Sequence, residues 1–134
     1  MADHRGASIL IADDDALVRL TLQQILDDAG YKSLEAKDGD EALALFKTAK
    51  PDLVIVDVIM PGRDGVITLL ELREFDAEAK VIAMSGGNRN GEVDYLELTR
   101  LVGADGVLPK PFNRSAVLAL VSKVLAERDG SATE

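Results

Sequence analysis

Apolar residues along this chain alternate between two rhythms. Short runs, SILIA at 8–12, KSLEA at 32–36, DLVIVD at 52–57, KVIAMS at 80–85 and GVLP at 106–109, have the β-rich character of strands. Between them the apolar positions fall at helical spacing. Val18, Leu22, Ile25, Leu26 and Ala29 make one stripe, and Ala42, Leu45, Phe46 and Ala49 a second. Val66, Leu69 and Leu70 make a third, Tyr95, Leu98 and Val102 a fourth, and Val117, Val121, Val124 and Leu125 a fifth. Gly30 and Gly103 stand where glycine ends the first and fourth of these helices, and Asp or Asn residues stand near several starts. The Leu and Val stripes are expected in the core.

Strand followed by helix, five times over, predicts an α/β chain of the form (βα)5. The first, third and fourth strands are continuous apolar runs, as strands of a parallel sheet covered on both faces must be. Right-handed crossovers then predict a doubly wound, parallel five-stranded sheet, ordered 2-1-3-4-5 in the flavodoxin-like manner. The 134 residues are expected to form one domain with its core over about 7–127 and mobile tails at 1–6 and 128–134. Open α/β sheets bind ligands beyond the carboxyl ends of their strands, where the strand order reverses. Here that point lies between the first and third strands.

Composition narrows the choice of partner. The net charge of −9 repels phosphate backbones and anionic bilayers, so nucleic acid and membrane surfaces are not expected partners, whereas proteins and cations are. No run approaches the roughly 18 apolar residues of a membrane helix, and MADHRGAS at the start lacks the apolar segment of a signal peptide. The chain has no cysteine, which excludes disulfides, thiolate metal sites and a thiol nucleophile, and fits a cytoplasmic setting.

Chemistry gathers at the predicted carboxyl edge. Asp13, Asp14 and Asp15 follow the first strand, Asp57 the third, Ser85 ends the fourth, and Lys110 and Pro111 follow the fifth. Two like charges ~4 Å apart repel by about 4 kcal/mol at an effective dielectric near 20, so neighbouring carboxylates call for a cation. Mg2+ suits two or three carboxylates plus a backbone carbonyl. Such a pocket, with Lys110, could hold a dianionic phosphoryl group. Asp57 is then the natural acceptor, because a carboxylate can form an aspartyl phosphate and phosphoryl transfer needs positioning and charge neutralisation above all.

The motifs ILIADDD, DLVIVDVIMPGRDG, VIAMSG and GADGVLPKPF, in this order and spacing, make the chain resemble a receiver domain of the two-component response regulators, the CheY-like superfamily, over about residues 7–127. The resemblance implies that Asp57 is the phosphoacceptor and that Asp13, Asp14 and Asp57 bind Mg2+, with Mn2+ as a substitute and Ile59 adding a main-chain carbonyl. It implies that Ser85 is the switch hydroxyl, that Lys110 bridges the phosphate, and that the bond before Pro111 is often cis. The donor would be a phosphohistidine on a sensor histidine kinase or a histidine phosphotransfer protein. The output would be an altered surface of the fourth helix, fifth strand and fifth helix, read by an unidentified protein target. Such a chain catalyses at most its own phosphorylation and dephosphorylation. With no room for an output domain after the fifth predicted helix, it is expected to be a free-standing regulator or an excised receiver.

Two departures from the family stand out. Val107 occupies the position three before the lysine where Tyr or Phe is usual, so no ring can swing there. The link SGGNRNGEVDYLE at 85–97 is longer than common by roughly three residues, and its glycines make it permissive. The loop and the fourth helix are therefore expected to carry the signal in place of an aromatic rotor.

Plainer readings compete at each position. One of Asp14 and Asp15 is expected to cap the first helix. Asp57, Ser85 or Lys110, each alone, is an ordinary strand-end or surface residue, and their conjunction carries the functional reading. Gly62 and Gly65 are expected as turn and helix-start glycines, His4 as a solvated side chain, and Tyr95 as either core or docking surface. GGNRNG is followed by Glu92 and Val93 where a phosphate loop needs Lys and Ser or Thr. The alternative function is a Mg2+-dependent phosphatase working on small substrates through an aspartyl phosphate. Against it stand the lack of a cap insertion and the apolar Ile59 two residues after Asp57. A receiver-like module that never takes phosphate is disfavoured by the complete acid, hydroxyl and lysine set. Flavin binding is disfavoured because acids stand where a phosphate loop would follow the first strand.

Overall fold

A computed structural model describes residues 6–58, 65–85 and 103–130, leaving aside the side chains of Ser85 and of 128–130. The described elements are β1 (Ser8–Ala12), α1 (Ala16–Asp28), β2 (Lys32–Ala36), α2 (Gly39–Ala49), β3 (Leu53–Asp57), α3 (Gly65–Phe75), β4 (Val81–Ser85), β5 (Gly106–Pro109) and α4 (Arg114–Gly130). The segment predicted as the fourth helix lies outside the described residues, so α4 is the fifth predicted helix. The long link, Tyr95, Gly62, His4 and most of both expected tails also lie outside them.

All strand pairs are parallel and the order is β2-β1-β3-β4-β5, as expected. Alternation along the strands splits the core into two layers. Ile9, Ile11, Leu53, Ile55, Ile82 and Met84 face the inner sides of α1 and α4, where Leu22, Leu26, Val117 and Val121 meet them. Leu10, Ala12, Val54, Val56 and Val81 face α2 and α3, where Ala42, Phe46, Leu69 and Leu72 close the second layer. Every residue of β3 is buried, which places Asp57 at the end of a strand covered on both faces.

Local chemistry sets the helix ends. The Asp15 carboxylate accepts from the Leu17 N–H and caps α1, so the capping role falls to the third acid of the run. Asp38 accepts from the Glu41 N–H at 2.8 Å, and the Glu41 carboxylate accepts in turn from the Lys37 N–H at 2.7 Å, opening α2. Asn113 receives the Ala116 N–H and opens α4. Gly30 adopts φ +95° just beyond α1, as expected of a helix-ending glycine, and Gly103, whose predicted helix lies outside the described residues, has φ +101°.

Some expectations need correction. Leu70 is about half exposed, and Ala49 is exposed at the end of α2, so neither belongs to the core. Their stripes are narrower than the spacing suggests because α3 and α2 each bury one side against the sheet. Two strands begin one residue later than predicted. Asp52 turns its carboxylate to the Ser8 N–H, and the backbone carbonyl of Lys80 meets Val54 just before β4 begins.

A candidate phosphoryl-transfer site at the carboxyl edge

The parallel register brings the ends of β1, β3 and β5 onto one edge. Ala12 lies opposite Val56, and Asp57 opposite Met84. The next residue of β1 and the last of β3 are therefore Asp13 and Asp57, side by side. Asp13 is fully buried, Asp57 is 5% exposed, and Asp14 is open to solvent. One carboxylate oxygen from each of the three lies within 4.8 Å of the others.

Lys110, the first residue past β5, reaches across this edge. Its ammonium donates to Asp13 Oδ2 at 3.0 Å and to Asp57 Oδ2 at 3.1 Å. Burial of the amine works against its charge, but its hydrogen bond to Asp13, the fields of Asp57 and Asp13, and its hydrogen bond to Asp57 outweigh it, so the Lys110 pKa is raised above 10.5. The peptide bond from Lys110 to Pro111 is cis.

The other oxygen of Asp13 accepts the Asp15 N–H at 2.8 Å, which folds the DDD run into a tight turn. On the far side, α3 begins directly against β3. The Gly65 N–H donates to the Val58 carbonyl, and a Cβ at Gly65 would run into the Asp57 carbonyl oxygen and the Val58 Cα. Only glycine permits this approach, which agrees with the helix-start reading of Gly65.

The donor set suits a hard divalent cation. Among the described residues these three carboxylates, two of them buried, meet the Lys110 ammonium, and the formal charges of the four side chains sum to −2. Among the described residues, Asp13, Asp14 and Asp57 are the ones placed to hold such an ion.

The structure thus brings together Asp13, Asp14, Asp57 and Lys110. Ser85 ends β4 in register with Pro109, one strand away from Asp57, and its side chain is outside the described set, as is the whole of Ile59. Val107 sits half-buried in β5 opposite Ala83. Three features carry no signal in the sequence: the hold of Lys110 on Asp13, the closeness of Gly65 to β3, and Arg19, which ties the β1–α1 turn to β2. A groove of about 550 Å3 lined by Arg73, Lys80, Asp105 and Val124 lies at the amino ends of β4 and β5, the opposite edge from these acids.

Known proteins carry similar chains. The family model of the response regulator receiver domain matches residues 9–122. The chemotaxis protein CheY of Halobacterium salinarum is 36% identical over 117 residues, covering 87% of this chain and 95% of that protein. The sporulation initiation phosphotransferase F of Bacillus subtilis is 32% identical over 117 residues, covering 87% and 92%. Among solved structures, a chain of the CheX–CheY–BeF3–Mg2+ complex from Borrelia burgdorferi matches with a TM-score of 0.79 and 32% identity, covering 88% of each chain.

Proposed function

Because this chain belongs to the response regulator receiver domain family, we propose that it takes a phosphoryl group onto Asp57 from a phosphohistidine of a sensor histidine kinase or a histidine phosphotransfer protein. The observation that carries the reading is the Lys110 ammonium seated on both Asp57 and Asp13 within a cluster of three carboxylates. A Asp57 oxygen attacks phosphorus and forms the O–P bond as the N–P bond to the donor imidazole breaks. The released ring nitrogen takes a proton from water. Asp13 and Asp14, with Asp57 and the Ile59 carbonyl, would hold Mg2+ (or Mn2+), which when bound neutralises charge on the transferring group. Lys110 moves its ammonium from the carboxylates to a phosphoryl oxygen, and the Ser85 hydroxyl donates to another.

The chain is on this reading a switch and not a turnover enzyme, working in the cytoplasm as one receiver domain. Among the described residues no helix is long and apolar enough to cross a membrane. Phosphorylation shifts a two-state equilibrium and alters the surface built from residues 95–102, β5 and α4, to which a protein target docks or from which the phosphoryl group is passed on. With Val107 in place of a ring, the 85–97 link and the segment after it carry the change.

Incubation with a small phosphodonor and Mg2+, followed by intact mass measurement, tests the chemistry. Wild type is expected to gain one phosphoryl group and Asp57→Asn none. A label of equal size in both proteins refutes the assignment of Asp57.

A further inference from the structure

Arg19 projects from the second turn of α1 and makes three contacts, all of which bear on the turn that carries the acids. Its Nη1 donates to the main-chain carbonyl of Asp13 at 2.7 Å. Its Nε donates to Glu35 Oε1, also at 2.7 Å, and its backbone N–H donates to the Asp15 carbonyl at 3.1 Å. The side chain is only 16% exposed. Glu35 belongs to β2 and lies in register with Ile11 of β1. One guanidinium therefore spans the sheet, the turn and the helix.

The carbonyl that Arg19 grips is half of the peptide unit joining Asp13 to Asp14, so holding it fixes the plane of that unit. This matters because the two acids are placed differently. The Asp13 side chain is held at both oxygens, by Lys110 and by the Asp15 N–H. Among the described residues no hydrogen bond or ion pair holds the exposed Asp14 carboxylate, so of these contacts only those on its backbone set where it stands. We infer that Arg19 is a positioning residue that, through the Asp13 carbonyl and braced by Glu35, pre-sets the Asp14 carboxylate for a divalent cation. The inference rests on the metal-assisted reading of the site given above.

Two properties of arginine suit the task. Its planar fork offers donors in fixed directions, one to a carboxylate and one to a carbonyl, which the single ammonium of lysine cannot reproduce. Glu35 also cancels the charge that a cation entering the cradle would otherwise meet. A guanidinium acting by charge alone would repel Mg2+, and its removal would tighten binding. A guanidinium acting by position has the opposite effect, so the sign of the change separates the two.

The test is a titration of the full chain with MgCl2, followed by calorimetry and by the amide resonances of Asp13, Asp14 and Asp15, for wild type, Arg19→Gln and Arg19→Lys. Both variants are expected to bind Mg2+ roughly tenfold more weakly, the scale of losing a group that orients a metal ligand, with unchanged circular dichroism. Wild-type or tighter affinity in either variant overturns the inference. Should one variant fail to fold, the other decides. Absence of Mg2+ binding by wild type would instead sink the metal reading itself, and Asp57→Asn, expected to lose the ion, marks that case.

Discussion

Lys110→Gln offers the sharpest perturbation, because one ammonium serves two buried carboxylates. At 3.0 and 3.1 Å each contact is worth about 5 kcal/mol in gross attraction at an effective dielectric near 20. Desolvation of the three groups removes much of that. What remains on deleting one partner of a buried pair is about 3–5 kcal/mol, and the 22% exposure of the Lys110 side chain reduces it to about 2–4 kcal/mol. For a domain of this length each kcal/mol moves Tm by about 3–5 °C, so in EDTA the variant should melt about 10 °C below wild type. Mg2+ should reverse the ranking of affinities. The ammonium competes for the oxygens the ion needs and adds a like charge roughly 4 Å away, worth about 2 kcal/mol against a divalent ion even at the dielectric of water. The variant should therefore bind Mg2+ at least about tenfold more tightly and recover most of its thermal deficit at saturating metal, in proportion to the logarithm of the ion concentration. Thermal denaturation followed by circular dichroism, with and without MgCl2, reads both effects. Equal melting temperatures in EDTA, or weaker metal binding by the variant, would refute the account of Lys110 as the ion's competitor.

Further outcomes follow from the same geometry. The raised pKa of Lys110 means that its stabilising contribution is complete below pH 10.5 and lost as pH rises through the raised value. The stability gap between wild type and Lys110→Gln in urea should stay constant from pH 8 to 10 and close above that range, and a gap that closes below pH 9 would contradict the contacts described. Gly65→Ala places a methyl against the Asp57 carbonyl and should cost about 1–3 kcal/mol in urea denaturation, with slower phosphorylation of Asp57 because the backbone there must yield. Wild-type stability and rate in that variant would show the approach of α3 to β3 to be looser than described.

Much of this arrangement is legible in the amino-acid sequence, and the exceptions have a common cause. β1, β3 and β4 announced themselves because burial on both faces removes polar residues from a strand, and Asp57 and Lys110 were conspicuous as charges directly after such runs. Strand order then followed from handedness, and with it the meeting of Asp13 and Asp57. Interactions that depend on distances between elements were not visible. Lys110 was expected to await a phosphoryl group, yet it bridges two carboxylates, a contact that requires β5 to stand at a particular height beside β1 and β3. Arg19 had no distinguishing neighbours in sequence; its meaning arises from Glu35, brought close by the β1–β2 register. Leu70 obeyed the helical period and is half exposed, since periodicity tells which residues share a side but not how wide the covered side is. Asp15 shows the reverse case, where a local rule sufficed: of two adjacent candidates, the residue just before α1 became its cap.

Lys110 lies 97 residues after Asp13 and 53 after Asp57, and it follows β5, which borders the sheet. A chain emerging from the ribosome thus displays its acids before their ammonium exists, and the charge cluster closes only once the last strand has joined the sheet.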